Sequence, residues 1–233
     1  MIQLQDVSKS FKGHTAIKKL SLNIEKGEIV GLLGANGAGK STTINLLLGF
    51  LNPDSGIVKI NNISVPEYPQ QTRKLIGYIP ENVELYPYLS GLENLDYFSK
   101  LSGLNYSKTE LSTLLNSCGL DSKEHQKKIK SYSKGMRQKV GIAIAYAKKA
   151  TVYLLDEPAS GLDPLASNEL SILLKKLAAE GATILMASHD IFRVREVCNR
   201  IGILKNGALV KELKSKAVSA DELESLYLEF MKN

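Results

Sequence analysis

A glycine-rich run followed by a lysine and a hydroxyl residue is the part of the sequence with the clearest chemistry. It reads GANGAGKST and follows an apolar stretch, 28–33, that predicts a buried strand. Glycines let successive backbone N–H groups turn toward one anion, and a helix predicted to begin near Lys40 adds its positive end. Lys40 can reach the β- and γ-phosphates of a nucleotide, and the Ser41 hydroxyl can bind Mg²⁺. The predicted nucleotide contacts are Gly34, Asn36, Gly37, Ala38, Gly39, Lys40, Ser41 and Thr42.

Two adjacent carboxylates end a second apolar stretch. Residues 151–155 predict a buried strand, and Asp156 and Glu157 follow it directly. Ligands collect at the carboxyl ends of parallel strands, so we expect both side chains beside the glycine-rich loop. Asp156 suits Mg²⁺, directly or through water, and Glu157 suits a general base that polarises the attacking water. A solvated acidic turn is the alternative for this pair taken alone.

Strands alternate with helices along the sequence, and this pattern favours an α/β fold with a mostly parallel sheet. That sheet is expected to position the loop and the two carboxylates. The stretch 82–147 differs, because its leucines have helical spacing and strand signals are few, so we interpret it as a mostly helical subdomain. Asn206-Gly207 predicts a hairpin turn. Strands are predicted at 2–4, 21–24, 28–33, 57–60, 151–155, 182–187, 201–204 and 208–210, and helices at 40–50, 166–179, 191–198 and 219–231.

Composition narrows the class of protein. The chain has 233 residues, of which 43% are apolar and 23% charged, so it is neither fibrous nor disordered. The formal charge of +6 would suit an anionic membrane surface or nucleic acid, but a solvated basic surface is the favoured explanation. No window approaches the roughly 18 apolar residues of a membrane span, so any role at a membrane requires docking onto a partner. The two cysteines lack metal-ligand spacing.

A third motif narrows the family. The first two are shared by all P-loop NTPases, but YSKGMRQ at 132–138 precedes an apolar helix and resembles the ABC signature, commonly LSGGQ. Ser133 and Gly135 match that pattern, whereas Lys134 and Met136 depart from its commonest form. Similar departures occur in one exporter branch. The chain therefore resembles the ATP-binding subunit, or nucleotide-binding domain, of an ABC transporter, and in particular the bacterial two-component exporters.

The resemblance implies roles for several single residues. His189 would contact the γ-phosphate, whereas Ser133 and Gly135 would bind the γ-phosphate held by a second subunit. Phe11 stands where the family stacks an aromatic ring on adenine, although a core residue at a strand edge is the alternative. Glu81 replaces the usual Gln of the loop that faces Mg²⁺, so it becomes a candidate metal contact. The implied ligands are ATP and Mg²⁺.

The resemblance also implies the organisation of the chain. It predicts one ABC ATPase domain over 1–233, with a P-loop NTPase core of mostly parallel sheet and an N-terminal antiparallel β region. The ATP-binding core would comprise 1–81 and 148–211, the helical subdomain 82–147, and a C-terminal helical tail 212–233.

The predicted function is to bind and hydrolyse ATP and so to power an ABC transporter, with export as the expected direction. The expected partners are a polytopic membrane permease and a second ATPase subunit, without nucleic acid, at the cytoplasmic face of the cell membrane. ATP-dependent dimer closure would couple hydrolysis to transport. The alternative is a non-transport ABC ATPase that acts on ribosomes or nucleic acid. Such proteins usually fuse two ATPase units or insert a long coiled coil, and the sequence has neither feature.

Overall fold

Two β-sheets organise the protein in the computed structural model, which describes residues 1–232. Asn233, the last residue of the predicted C-terminal tail, lies outside the described residues. The first sheet has four antiparallel strands in the order β2-β1-β4-β5, as predicted for the N-terminal region. Its strands are β1 (Ile2–Phe11), β2 (His14–Ile24), β4 (Ser55–Ile60) and β5 (Ile63–Ser64).

The second sheet has six strands in the order β10-β9-β3-β8-β7-β6. All neighbours from β9 to β6 run parallel, and β10 pairs antiparallel with β9, which confirms the predicted mostly parallel sheet. Asn206 and Gly207 both have positive φ in the hairpin between β9 and β10, as a tight primed turn requires. The strands are β3 (Ile29–Leu33), β6 (Ile76–Ile79), β7 (Val152–Asp156), β8 (Thr183–Ser188), β9 (Arg200–Lys205) and β10 (Ala208–Lys214).

The apolar core lies on both faces of this sheet. Successive side chains of a strand point to opposite faces. Val30 and Leu32 therefore join the cluster toward the antiparallel sheet, whereas Ile29 and Leu33 join the cluster under the helices. Every residue of β3 is buried, because both faces of a parallel sheet are covered.

Eight α-helices complete the described residues. Three of them, α3 to α5, lie in the stretch predicted to be helical, and Ser90 and Ser107 cap α3 and α4 through reciprocal bonds with Glu93 and Glu110. None of the helices in residues 1–232 has both the length and the apolar character of a membrane span. The helices are α1 (Lys40–Leu47), α2 (Pro69–Lys74), α3 (Gly91–Leu101), α4 (Lys108–Ser117), α5 (Lys134–Ala147), α6 (Pro164–Ala179), α7 (Ile191–Val197) and α8 (Ala220–Lys232).

Several elements differ from the sequence prediction. The helix predicted to reach Phe50 ends at Leu47, because Gly49 adopts a left-handed conformation with φ of 66°. No strand was predicted immediately before Glu81, but Ile76–Ile79 form the edge strand β6. Helix α2 and the outer halves of β1 and β2 were not predicted.

Candidate functional site

The glycine-rich loop joins the carboxyl end of β3 to α1. Gly39 immediately precedes α1 with φ of 110°, and a Cβ atom there would lie 2.7 Å from the carbonyl oxygen of Ala16. Both observations require glycine at this position. The tight turn starts α1 at Lys40 and directs the N-terminal end of the helix, where backbone N–H groups have no partner within the helix, toward the loop.

Lys40 is a buried cation held inside this loop. Its Nζ donates to the carbonyl oxygens of Gly34 and Ala35 at 2.6 and 3.2 Å and lies 3.6 Å from Oε1 of Glu157. The loop thus keeps a positive charge next to backbone N–H groups. This arrangement suits a phosphate group, which needs both donors and charge.

Asp156 is the last residue of β7 and lines the same cavity as the glycine-rich loop. Burial raises the pKa of its carboxyl group above the ordinary value, and the charges of Glu157 and Glu81 raise that pKa further. The nearby Ser41 hydroxyl and the charge of Lys40 lower this pKa and so oppose the rise. A cation bound at this carboxylate would therefore relieve an unfavourable charge.

Glu157 follows β7 in a left-handed conformation, with φ of 46°, and is only 8% exposed. Its N–H donates to Ala187 O at 2.9 Å, which fixes the turn. Its Oε2 accepts from Ser188 Oγ and from the backbone N–H of His189, at 3.0 and 3.3 Å. Its Oε1 is buried and accepts no well-directed hydrogen bond, although the Nδ1 of His189 lies 2.8 Å away. One carboxylate oxygen is thus held by the protein and the other remains able to accept a proton.

The oxygen donors around Asp156 fit Mg²⁺. Mg²⁺ is usually bound through one or two carboxylates together with substrate phosphates and water. Ser41, Asp156 and Glu81 provide a hydroxyl and two carboxylates around one cavity. The described residues contain no group of three or more His, Cys, Asp or Glu side chains arranged to hold a metal by themselves. The site therefore fits a metal that arrives with a phosphorylated ligand.

Most of the predicted contacts surround a single cavity of about 220 Å³. Gly34 and Ala38 lie outside its lining, and their N–H groups donate to Ser188 O and Ala35 O. The ring of His189 is exposed and lies next to the site, with its Nδ1 atom 2.8 Å from Oε1 of Glu157. The predicted residues that line the cavity are Asn36, Gly37, Gly39, Lys40, Ser41, Thr42, Glu81, Asp156 and Glu157.

Ser133 and Gly135 lie apart from this cavity, at the N-terminal end of α5. Ser133 caps the helix by accepting from the N–H of Met136 at 3.2 Å. Lys134 extends to Ser160, with its Nζ 3.2 Å from the hydroxyl oxygen, and packs against Gly161. The signature segment therefore contacts the loop after β7 in its own chain and does not line the nucleotide cavity.

Phe11 also lies outside the cavity lining. It ends β1 with a partly exposed ring, and Lys9 Nζ lies 5.5 Å from the ring centroid. Ala16, on the strand paired with β1, lines the cavity instead. Stacking of Phe11 on adenine stays a prediction.

Gln138 was not assigned a role from the sequence, yet it connects three segments of the site. It is 1% exposed, and its Nε2 donates to the carbonyl oxygens of Pro80 and Pro158 at 3.3 and 3.2 Å. Pro80 precedes Glu81, and Pro158 follows Glu157. Helix α5 is thereby tied to both loops that carry carboxylates into the cavity. The available signal was a polar residue directly before the apolar helix that follows the signature segment.

Known proteins are similar to this chain in sequence. The family model described as ABC transporter matches residues 17–160. The chain belongs to the ABC transporter family. The bacitracin transport ATP-binding protein BcrA of Enterococcus faecalis is 36% identical over 91% of this chain and 69% of its own length. The lantibiotic transport ATP-binding protein SrtF of Streptococcus pyogenes is 32% identical over 97% of this chain and 96% of its own length.

A solved structure extends the similarity to the fold. It is a dimeric ATP-binding cassette in a post-hydrolysis state, bound to ADP and Pi. It aligns with 92% of this chain and 99% of its own, at 30% identity and a TM-score of 0.85. The chain is thus an ATP-binding and ATP-hydrolysing subunit of an ABC transporter, and the predicted P-loop NTPase fold is confirmed.

Proposed function

We propose that this subunit drives export through a separate membrane permease. The observation that carries the proposal is the single cavity in which Lys40, Asp156 and Glu157 meet the N-terminal end of α1. Such a cavity can bind and hydrolyse ATP, but the chain provides no membrane-spanning helix within residues 1–232. The export direction is supported by similarity to proteins named for bacitracin and lantibiotic transport.

Nucleotide binding would use the loop and a Mg²⁺ ion. The ion would neutralise charge on the β- and γ-phosphates when bound. Ser41 and Asp156 would hold it, and Glu81 would add a carboxylate where related proteins have a neutral Gln. Lys40 would exchange its bonds with loop carbonyls for bonds with phosphate oxygens. Phe11 would stack on adenine, which contributes about 1–3 kcal/mol for a base on an aromatic ring.

Glu157 would act as the general base. Its Oε1, which accepts no well-directed hydrogen bond from the protein, would accept a proton from water, while Oε2 stays bound to Ser188 and the backbone of His189. The ring of His189 would orient the same carboxylate and contact the γ-phosphate. Catalysis here consists mainly of positioning and charge stabilisation, as in other phosphoryl transfers.

Two subunits would complete each site. Ser133 and Gly135 lie at a second helix N-terminus that does not line the chain's own nucleotide cavity, so a second ATPase chain would bring such an end to the γ-phosphate. Closure would be favoured by ATP because only the closed state satisfies both faces. The partner would be another copy or a related chain.

Docking to a polytopic permease at the cytoplasmic face of the membrane is a separate part of the proposal. We assign 82–147 to the helical subdomain, 1–81 and 148–211 to the core, and 212–232 to a helical tail. Within this subdomain, Tyr88 is 77% exposed, and Tyr86 packs edge-on against Tyr97 with ring centroids 4.9 Å apart. Tyr86 and Tyr88 are therefore candidate contacts for the permease.

The proposal is tested by capture of partners in the ATP-bound state. Tagged Glu157→Gln protein is purified with ATP from detergent-solubilised cells, and Lys40→Ala protein is the control that should not close on ATP. A polytopic membrane protein enriched with the first variant supports the proposal. Ribosomal or DNA-bound partners without a membrane protein would overturn the role in transport but leave the ATPase chemistry intact.

A further inference from the structure

A second cavity, of about 450 Å³, opens at the opposite edge of the six-stranded sheet from the nucleotide site. The glycine-rich loop follows the carboxyl end of β3, whereas this cavity lies at the amino end of β3 and β9, beside Ile29 and Asn199. The last turns of α6 and α7 and the segment after β10 complete its walls. Its volume lies within the roughly 300–1,000 Å³ that is typical of small-molecule sites. It is termed the amino-edge cavity below.

Most of the charged side chains that line the amino-edge cavity are positive. The lining includes three basic residues, Lys175, Arg195 and Lys216, and one acidic residue, Glu196. Glu196 is bound by NH1 of Arg193 at 2.8 Å, so its charge is already compensated. None of the three lining cations forms an ion pair with a carboxylate in residues 1–232. The cavity therefore has a net positive wall.

The neutral polar groups of the wall are also donors. Ser215 is 3% exposed, and its Oγ has no hydrogen-bond partner in the part of the chain that the structure describes. Buried hydroxyl groups nearly always have a partner, so this one points to a missing acceptor. Asn199 accepts from the N–H of Ile29 through Oδ1 at 2.8 Å, which leaves its Nδ2 group as a donor.

Helix dipoles explain only part of this charge. Basic residues commonly offset the negative C-terminal end of a helix, and Lys175 and Arg195 lie near the ends of α6 and α7. Lys216, in contrast, belongs to the 3₁₀ turn Ser215–Ala217, which is too short to have a substantial dipole. The unpartnered Ser215 hydroxyl also has no explanation in helix electrostatics.

We propose that the amino-edge cavity binds the phosphate group of a small organic anion, separately from ATP. Lys175 and Lys216 would donate to the phosphate oxygens, and Arg195 would add charge. The Ser215 Oγ is buried in the wall, so its hydroxyl would reach the phosphate after rotation about the Cα–Cβ bond. The aliphatic side chains of Ala178 and Val197 in the same wall would accept an apolar portion of the ligand. A soluble phosphate monoester and the headgroup of an anionic phospholipid both supply this chemistry.

The test uses the full chain with its nucleotide site saturated by Mg²⁺ and ADP. Phenyl phosphate is titrated calorimetrically as the soluble probe, and phosphatidylcholine vesicles with and without phosphatidic acid are used in co-sedimentation. Lys216→Glu removes a proposed donor. Lys211→Glu is the matched control, because it makes the same charge change at an exposed site on β10 outside the cavity. Ser215→Ala removes only the hydroxyl, and thermal unfolding checks that each variant is folded.

We expect saturable binding of at least one probe, weakened about tenfold or more by Lys216→Glu and less than about twofold by Lys211→Glu. Ser215→Ala should weaken binding without lowering the unfolding temperature, because its hydroxyl has no partner to lose. Binding of phenyl phosphate alone would identify a soluble ligand, and binding of phosphatidic acid vesicles alone would identify a lipid. Equal losses in the two lysine variants, or no saturable binding of either probe, would overturn the proposal.

Discussion

Replacing Glu157 by Gln isolates the role of one carboxylate charge. Gln has nearly the same shape, and its amide oxygen can still accept from Ser188 Oγ and from the N–H of His189, as Glu157 Oε2 does at 3.0 and 3.3 Å. The amide nitrogen then takes the position of Oε1, 2.8 Å from His189 Nδ1 and 3.6 Å from Lys40 Nζ. The fold and the loop should be preserved, but the oxygen that would accept a proton is lost.

The size of the effect follows from that position. A positioned general base contributes about 10²–10⁴-fold to a rate, which corresponds to roughly 2.7–5.4 kcal/mol of activation free energy. We therefore expect turnover of the Glu157→Gln variant to fall by this factor. The affinity for ATP should stay the same or increase, because the variant removes a negative charge from a site that receives phosphates.

Phosphate release and nucleotide binding measured on the same preparation test this expectation. Turnover is followed under saturating ATP and Mg²⁺, and the ATP dissociation constant is measured by calorimetry. Turnover within about threefold of the unmodified protein would refute the assignment of Glu157 as the base. A parallel loss of ATP affinity would instead show that the substitution had disturbed the loop, and the reasoning from isosteric geometry would be wrong.

Three further substitutions test other parts of the site. Lys40→Ala should weaken ATP binding at least about tenfold in calorimetry, since a charge-assisted phosphate contact is lost; unchanged affinity would contradict the contact. Gln138→Leu should lower the free energy of unfolding by about 1–3 kcal/mol in denaturant titration, because two carbonyl oxygens lose their donor, and an unchanged midpoint would exclude that role. Asp156→Asn should raise the unfolding temperature of the nucleotide-free protein at neutral pH. Because burial raises the pKa of the Asp156 carboxyl, its charged form destabilises the fold as pH rises through that pKa, so the difference from the unmodified protein should shrink at lower pH. A constant difference across pH would contradict this cause.

The parallel sheet could be predicted because its strands are short apolar runs that end in chemically distinctive residues. The glycine-rich loop follows segment 28–33, and Asp156 and Glu157 follow segment 151–155. Each strand prediction therefore supports the site prediction beside it, and each site prediction supports its strand. The long antiparallel strands were harder to predict. Asp6 and Lys19 have positive φ at irregular pairings of β1 and β2, which interrupts the two-residue alternation on which strand prediction depends.

Most features of the site that could not be predicted are hydrogen bonds between residues far apart in the sequence. Gln138 donates to carbonyl oxygens 58 and 20 residues away, and backbone acceptors have no signature in side-chain identity. Ser188 supports Glu157 from a different strand, 31 residues along the chain. The separation of Ser133 from the cavity in its own chain was implied only by family resemblance, because a helix cap alone does not indicate which ligand it faces.

The left-handed conformation of Glu157 has a consequence for selection. A non-glycine residue with positive φ costs on the order of 1–3 kcal/mol, and glycine would remove most of that cost. Selection for folding stability alone would therefore favour Gly or Asn at this position, and only selection for hydrolysis retains the carboxylate. In a library screened for heat resistance without an ATPase requirement, we expect position 157 to be among the first to change. Stabilised variants that keep Glu157 would then have to obtain their gain elsewhere in the fold.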